Sequence, residues 1–213
     1  SPILAGGAGA YTYVNKLRDE AKAGGDAVFL TDAGNLFQGT QLGTQDGGSK
    51  IIQWMNWMSY DAFVPGVRDF DQGVLNLSRL SEKAEFPFLA ANLKGVNGIK
   101  DNKIIDVNGI RIGVIGLITP FINEGLLPEN YEGVVVDDLL ETLNEQIAKI
   151  RKNVDMIFVL SHLGLPYNRE DEYKKFIKKI NKGISVPIRN ALELAHYTDD
   201  VDVIITGGYN KGY

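Results

Sequence analysis

The chain has 213 residues, 44% hydrophobic and 23% charged, so it is long enough to bury one sizeable core and has the composition of an ordinary globular protein. Its net charge of −5 argues against a nucleic-acid-binding surface, because phosphate backbones are bound by clustered Lys and Arg. Cysteine is absent, which excludes disulfides, thiolate metal sites and cysteine nucleophiles. No apolar run approaches the roughly 20 residues of a membrane-spanning helix.

The first half of the chain alternates predicted helices with short apolar strands. Apolar residues at helical spacing predict an amphipathic helix over 11–24, which ends at a Gly-Gly pair. The run 27–31 is apolar, too short for a helix and bounded by aspartates, so it predicts a buried strand. The same alternation predicts a helix over 50–59, a strand over 62–64, a helix over 72–83 and a strand over 86–91. This βαβ rhythm is typical of a parallel sheet.

The second half adds an antiparallel pair to this pattern. The β-rich runs 103–107 and 110–118 flank Asn108-Gly109, a strong hairpin signal because both residues tolerate positive φ. Leucine and isoleucine at helical spacing predict a helix over 137–152 that leads into a strand over 155–160. The remaining predicted elements are helices over 169–181 and 187–196 and a strand over 201–206. The pattern therefore predicts an α/β fold.

Polar and glycine-rich segments follow several of the predicted strands. Ligands bind beyond the carboxyl ends of strands in layered α/β folds, so these segments are the candidates for a functional site. They are Asp32 to Asn35, Pro65 to Asp71, Ala91-Asn92, Ser161 to Gly164 and Gly207 to Lys211.

These segments resemble, in order and spacing, the signature blocks of the 5′-nucleotidase branch of the calcineurin-like metallophosphoesterases. In the family the blocks read approximately D-A-G-D-x-F-Q-G-T, G-N-H-E-F-D-x-G, A-A-N, L-S-H-L-G and G-G-H-x-H. The close matches are Asp32 to Thr40, Phe70 to Gly73, Ala90 to Asn92 and Leu160 to Gly164. The resemblance implies a single metallophosphoesterase-like domain over residues 1–213, built as a four-layer α/β/β/α sandwich with mixed sheets.

The family comparison also implies that the domain is truncated at both ends. The family's opening D-x-H block would lie before Ser1, and its C-terminal nucleotide-binding domain would lie after Tyr213. We therefore expect both parts to be absent from this chain. The same resemblance implies an exported protein, located in the periplasm, at the cell surface or outside the cell.

A pair of metal ions, held by carboxylate, imidazole and amide ligands, activates water in the resembled family. Here the bridging Asp position falls on Asn35, the ligand Asn position on Val67 and the adjacent His position on Arg68. The two His positions of the last block fall on Tyr209 and Lys211. The resemblance thus implies degenerate metal-binding motifs.

His162 is the expected metal ligand that keeps its residue type. A single imidazole cannot hold a catalytic metal pair, and the cations Arg68 and Lys211 would repel one. We therefore expect His162, Asn35 and Arg68 to be vestiges of a catalytic site and no metal cofactor to be bound. The alternative for the cofactor is a divalent pair of Mn, Zn or Fe. The alternative for His162 is a histidine that is hydrogen-bonded at a loop.

The replaced positions suggest a different ligand. If the fold is kept, Asn35, Arg68, His162 and Lys211 converge at the carboxyl end of the sheet, where the family places its phosphate. The planar guanidinium of Arg68 and the ammonium of Lys211 would suit phosphate or sulfate, but these groups could not activate water. In the alternative interpretation, Arg68 pairs with Asp69, Asp71 or another carboxylate and fills the cavity.

The favoured hypothesis is a non-catalytic metallophosphoesterase-like domain that serves as a binding or assembly module, through a protein partner or self-assembly. The first alternative is an active metal-dependent phosphoesterase or 5′-nucleotidase that hydrolyses nucleotides with an altered site. The second is a small-molecule binding protein of an unrelated α/β type, which would make the ordered blocks a coincidence.

Several other residues have structural interpretations. Asp32 is expected to cap the loop after its strand, and His196 to be a surface or packing residue. The charged run 169–182 looks like an insertion relative to the family, and it is interpreted as a solvated face with a partner contact as the alternative. Four large side chains at helical spacing are predicted to pack in the core: Trp54, Met55, Trp57 and Met58.

Overall fold

The computed structural model describes residues 6–39 and 41–210. Its helices are α1 (Gly6–Gly24), α2 (Gln41–Thr44), α3 (Ser49–Trp57), α4 (Val74–Lys83), α5 (Leu139–Ile150), α6 (Arg169–Ile180) and α7 (Ala191–Ala195). Its strands are β1 (Thr31–Asp32), β2 (Ala62–Phe63), β3 (Phe88–Leu89), β4 (Leu93–Lys94), β5 (Ile99–Lys100), β6 (Asn102–Val107), β7 (Ile110–Ile118), β8 (Val135–Val136), β9 (Met156–His162), β10 (Leu165–Pro166), β11 (Val203–Thr206) and β12 (Tyr209–Asn210).

The longer sheets differ in strand direction. One sheet has the order β1-β2-β3-β5, and all of its strand pairs are parallel. The other has the order β11-β9-β7-β6, in which β6 and β7 pair antiparallel and the remaining pairs are parallel. Short pairs, β10 with β12 and β4 with β8, lie beside them. The predicted α/β class with mixed sheets is confirmed.

Clusters of buried side chains separate the layers. The cluster between the first helices and the parallel sheet includes Ile52, Met55, Leu77, Leu80, Phe63 and Phe88. The cluster between the two sheets contains Ala62, Val64, Leu89, Ile112, Val114 and Leu160. The cluster between the mixed sheet and the later helices includes Ile115, Leu117, Val159, Leu143, Ile147 and Leu194. Successive strand residues thus alternate between clusters, as a pleated strand requires, and the layer order is the predicted α/β/β/α.

The two sheets are joined near their carboxyl ends by the buried side chain of Asn92. Its Nδ2 donates to the Ile118 carbonyl at 2.8 Å, and its Oδ1 accepts from the Ile118 N–H at 2.9 Å. Ile118 lies in β7, whereas Asn92 follows β3. The amide therefore satisfies both backbone groups of one residue and fixes the end of one sheet against the other.

Local sequence signals explain the element boundaries. The hairpin turn is confirmed, with φ of 53° at Asn108 and 86° at Gly109. Asp138 caps α5 by accepting from the N–H groups of the next helical residues, Leu140 and Glu141. Asn190 caps α7 in the same way, so the helix predicted over 187–196 begins only after this residue.

Some predicted boundaries shift. The strand predicted over 27–31 is observed as β1, because its pairing to β2 begins at Thr31 and β2 itself is short. The helix predicted over 11–24 begins at Gly6. Among the described residues, no helix is long and apolar enough to cross a membrane.

The core-packing prediction for α3 is wrong at one position. Met55 and Met58 are buried and Trp54 packs against the same core, but Trp57 is 67% exposed. Each helical residue is rotated by about 100° from the one before it, so Trp57 points about 200° away from the buried Met55 and lies on the other side of α3. Spacing alone could not distinguish the faces, because apolar side chains occur on both.

Candidate functional site

The candidate site lies where the carboxyl ends of β1, β2 and β9 meet. β1 leads into the loop that contains Asn35, β2 leads into the segment that starts at Pro65, and β9 ends at His162. β1 and β2 are in the parallel sheet, whereas β9 is in the mixed sheet. His162 joins the two sheets through a hydrogen bond between its Nδ1 and the Ala33 carbonyl.

Gly66 allows Asn35 and His162 to come together. A Cβ at this position would collide with Oδ1 of Asn35 and Cε1 of His162. Gly34 packs equally closely, because a Cβ there would collide with the Gly66 backbone. Gly34 and Asn35 both have positive φ, of 92° and 66°, a conformation that Gly and Asn tolerate better than other residues. The predicted convergence of Asn35 and His162 therefore depends on glycines in both loops.

The centre of the site is Asp69, a buried carboxylate that is 1% exposed. Its Oδ1 accepts from the N–H groups of Leu36 and Phe37 at 2.7 and 2.9 Å. Its Oδ2 accepts from those of Asn35 and Gly66 at 2.7 and 2.8 Å. Each oxygen thus receives a pair of backbone donors, and the carboxylate holds the loop after β1 against the segment after β2.

The pKa of Asp69 reflects two opposing effects. Burial raises the pKa more than the backbone hydrogen bonds from Phe37, Gly66, Asn35 and Leu36 lower it, and the resulting pKa is about 6. At neutral pH the group is therefore ionised. We interpret the ionised form as the one that suits this geometry, since a proton on either oxygen would face backbone N–H groups that need an acceptor.

The sequence indicated Asp69 only as a possible ion-pair partner of Arg68. Three of its four backbone donors are residues 35–37, more than thirty positions earlier in the chain. Asp69 could have been identified as a carboxylate in one loop that faces a second loop with positive-φ residues. The N–H groups of such residues point away from regular secondary structure and need an acceptor.

His162 is a buried, neutral imidazole in this arrangement, with only 5% of its surface exposed. Burial lowers its pKa, while the hydrogen bond with Ala33 and the charge of Asp32 raise it. A carbonyl can only accept, so we assign the proton to Nδ1, which leaves the lone pair on Nε2. Nε2 faces Gly208, where an added Cβ would lie 3.1 Å away. The structure thus shows the loop-bound histidine of the alternative interpretation.

Arg68 joins the site through its backbone, not its side chain. Its N–H donates to Asn35 Oδ1 at 2.9 Å. Its guanidinium donates to the Gly125 carbonyl at 3.0 Å and lies 3.6 Å from the Asp71 carboxylate. The alternative pairing of Arg68 with Asp71 is therefore what the structure shows. The neighbouring Val67 lies against Gly125, where an added Cβ would be 3.3 Å from its Cγ1.

The last sequence block is described only in part. Tyr209 pairs with Leu165 through the β12–β10 backbone ladder. Lys211 lies outside the described residues, so the four-residue anion site that includes it stays a prediction.

Asp32 has the structural role expected from the sequence. Its Oδ1 accepts from the Gly34 N–H at 2.8 Å and so caps the turn after β1. Burial raises the pKa of Asp32, while that hydrogen bond and His162 lower it. The loop-capping prediction is confirmed.

The donors of the described residues do not fit a metal pair on their own. Within residues 6–39 and 41–210, no group of three or more His, Asp or Glu side chains could hold a metal ion. Asn35 Oδ1 accepts from a backbone N–H, and the oxygens of Asp69 are occupied by four. A binuclear site needs carboxylates that balance the charge of two cations, and these groups supply none that is uncommitted.

No protein-family model matches the chain. It is 30% identical over 212 residues to the 5′-nucleotidase of Rattus norvegicus, a match that covers 93% of this chain and 34% of that protein. The solved calcineurin-like phosphoesterase YfkN of Bacillus subtilis is 29% identical with a TM-score of 0.68, covering 92% of this chain and 61% of its own. The 5′-nucleotidase precursor of Thermus thermophilus is 28% identical with a TM-score of 0.65, covering 90% and 34%.

The four-layer sandwich and these structural similarities define a calcineurin-like metallophosphoesterase domain. Within that class, the sequence similarity identifies the branch: the chain is a 5′-nucleotidase-type metallophosphoesterase domain. It spans about a third of the length of the curated relatives it matches. The alternative of an unrelated α/β binding protein is therefore wrong.

Proposed function

We propose that this domain is non-catalytic and works as a binding or assembly module. The observation that carries the proposal is that most of the oxygen acceptors at the carboxyl edge are already hydrogen-bonded within the protein. Asn35 accepts from Arg68, Asp69 accepts from four backbone N–H groups, and His162 is bound to Ala33. Groups held in this way stabilise the loops and leave little capacity to coordinate cations.

The replacements at the metal positions support the same proposal. Asn35 is neutral where the resembled family has a bridging carboxylate, so it supplies no charge to balance two cations. Val67 has no ligand atom at all. Arg68 cannot replace a ligand, because its side chain is a cation that is directed to Gly125 and Asp71. A domain that loses its catalytic activity but keeps its fold would lose metal ligands and keep the framework residues around them.

The alternative function is hydrolysis of nucleotides or related phosphate esters by an altered site. One observation favours it: Nε2 of the neutral His162 keeps a lone pair, so this imidazole could still bind a metal ion. The relatives named 5′-nucleotidase favour it as well. It needs further ligands from outside the described residues.

The proposed ligand of the module is phosphate or sulfate, held by Asn35, Arg68, His162 and Lys211. Binding requires the Arg68 guanidinium to leave Gly125 and Asp71, and it requires a proton on Nε2 of His162. The alternative is a protein partner or a second copy of the chain, and nucleic acid is not expected because of the net charge of −5. Export to the periplasm, the cell surface or the medium is part of the proposal, and the precursor among the similar structures supports it.

The proposal is tested by incubating the protein with AMP and with an aryl phosphate in the presence of Mn²⁺ or Co²⁺. We expect no hydrolysis above background. Turnover that disappears in His162→Ala but persists in His196→Ala would contradict the proposal and favour the hydrolase. His196 is the matched control because it is the only other histidine in the chain.

The anion ligand is tested separately by thermal unfolding with added phosphate or sulfate. A ligand that binds only the folded state raises the apparent melting temperature. We expect a rise at millimolar phosphate that is reduced in Arg68→Gln and unchanged in Arg79→Gln, whose guanidinium bonds to Ser49 and Asn76 instead. No rise would end the anion-site proposal and would leave the non-catalytic assignment standing.

A further inference from the structure

Helix α6 concentrates positive charge on one surface of an otherwise acidic molecule. Residues 174–182 contain five lysines and no acidic residue. Since residues 173–184 carry five positive charges and the whole chain has a net charge of −5, the remainder of the chain has a net charge of −10. An anionic surface is therefore attracted by this face and repelled by the rest of the molecule.

The five lysines of residues 174–182 differ in their partners. Lys174 and Lys175 form ion pairs with Glu170 and Glu172 at 2.6 and 2.7 Å. Lys178, Lys179 and Lys182 form no ion pair with any residue in the described ranges. All three are exposed. Their charge is thus uncompensated within the described chain.

Apolar surface accompanies these charges. A shallow hollow of about 520 Å³ runs along α6, with Tyr173 and Ile177 and the methylene stems of neighbouring lysines in its walls. Two large side chains flank the helix: Tyr167 is 79% exposed and Ile184 is 50% exposed. The surface formed by residues 173–184, which we call the α6 face, therefore combines cations with apolar side chains, among them Tyr173, Ile177 and Ile184.

The α6 face belongs to a helix that is fixed to the domain. Phe176 on its opposite side is 3% exposed. Its ring contacts those of His196 and Tyr197, with centroids 5.5 and 6.0 Å apart. The lysines are thus presented from a packed element and keep their spacing.

We propose that the α6 face docks on an anionic phospholipid surface. The positive charge of the α6 face favours an anionic partner. Because the cations are lysines, a lipid surface is favoured over a protein. Lysine is depleted from the centres of protein–protein interfaces, whereas clustered lysines are typical of attraction to anionic headgroups. An exposed Tyr beside such a cluster suits the boundary between headgroups and acyl chains. The proposal concerns peripheral contact, and it is independent of the non-catalytic assignment.

The test is sedimentation of the protein with phosphatidylcholine vesicles that contain or lack phosphatidylglycerol. Each lysine near an anionic surface strengthens binding about fivefold at moderate salt. We therefore expect K178Q/K179Q/K182Q to weaken binding to the anionic vesicles about 100-fold. Ile184→Ser should weaken it further, and salt at about 0.5 M should release the wild-type protein.

The matched control is K100Q/K103Q/K152Q, which removes three exposed lysines elsewhere and gives the same net charge. It should bind like the wild type. Absence of binding to anionic vesicles, equal binding to neutral vesicles, or equal loss in both triple variants would overturn the proposal. So would binding of the α6 face to an acidic polypeptide, such as polyglutamate, but not to anionic vesicles.

Discussion

Replacing Asp69 by Asn tests whether this carboxylate organises the site. The two side chains have nearly the same shape, but the Asn amide nitrogen is a donor and would face one pair of backbone N–H groups. Loss of a charged acceptor costs about 1.5–3 kcal/mol for each N–H, or about 3–6 kcal/mol for a pair. We therefore expect Asp69→Asn to lower the free energy of unfolding.

One effect opposes this loss. Asn carries no charge to bury, and burial is the largest cause of the raised pKa of Asp69, so removal of the charge relieves part of the loss. At least one backbone N–H is left facing a donor, which costs about 1–3 kcal/mol, so we expect a net destabilisation of that order at pH 7.5, where Asp69 is ionised. Because a folded domain is stabilised by only about 5–15 kcal/mol, this change is large enough to measure.

The assay is urea unfolding followed by tryptophan fluorescence and circular dichroism. Asp71→Asn is the matched control, since Asp71 is two residues away and exposed, and its carboxylate lies 3.6 Å from the Arg68 guanidinium. It should cost about 1 kcal/mol or less. A stability of Asp69→Asn equal to or above that of the wild type would refute the reasoning, because burial of the charge would then outweigh the hydrogen bonds.

Two further predictions concern neighbouring groups. Ser161 Oγ is buried without a hydrogen-bond partner among the described residues, so Ser161→Ala should be neutral or stabilising by up to about 1 kcal/mol in urea unfolding. Thr206 is its register partner in β11, and the Thr206 hydroxyl accepts from the Gly164 N–H at 3.1 Å. Thr206→Val should therefore lower the free energy of unfolding by about 1–3 kcal/mol. Equal effects of the two changes would contradict this account. Burial lowers the pKa of His162 below its ordinary value of 6.5. Near that pH the unfolded chain therefore binds more protons than the folded one. The stability contributed by neutral His162 should fall as the pH drops below about 6.5. This part of the pH dependence should be missing in His162→Gln, and an unchanged slope between pH 7.5 and pH 5 would argue against a buried neutral imidazole.

Much of the fold and part of the site could be predicted from the sequence. The Asn108-Gly109 turn and the helix over 137–152 depend on local signals, and both were found close to their predicted positions. Asn35 and His162 could be brought together because carboxyl ends of strands meet at a sheet edge in α/β folds.

Other features depend on tertiary contacts that no local pattern specifies. The role of Asp69 arises from N–H groups of a distant loop, and the exposure of Trp57 depends on which face of α3 meets the sheet. The direction of the Arg68 side chain is set by Gly125 and Asp71, and the first of these lies far along the chain. Residue type at a motif position therefore located the site but did not predict its hydrogen-bond network.

The most direct test of the central claim is elemental analysis of the protein after expression with added Mn and Zn and extensive dialysis. A site whose oxygen acceptors are mostly hydrogen-bonded within the protein, with Asn35 in place of a bridging carboxylate, should retain much less than one equivalent of Mn, Zn, Fe or Ni. His162→Ala should leave that value unchanged. Two equivalents of transition metal in the wild-type protein, lost in His162→Ala and kept in His196→Ala, would contradict the non-catalytic assignment.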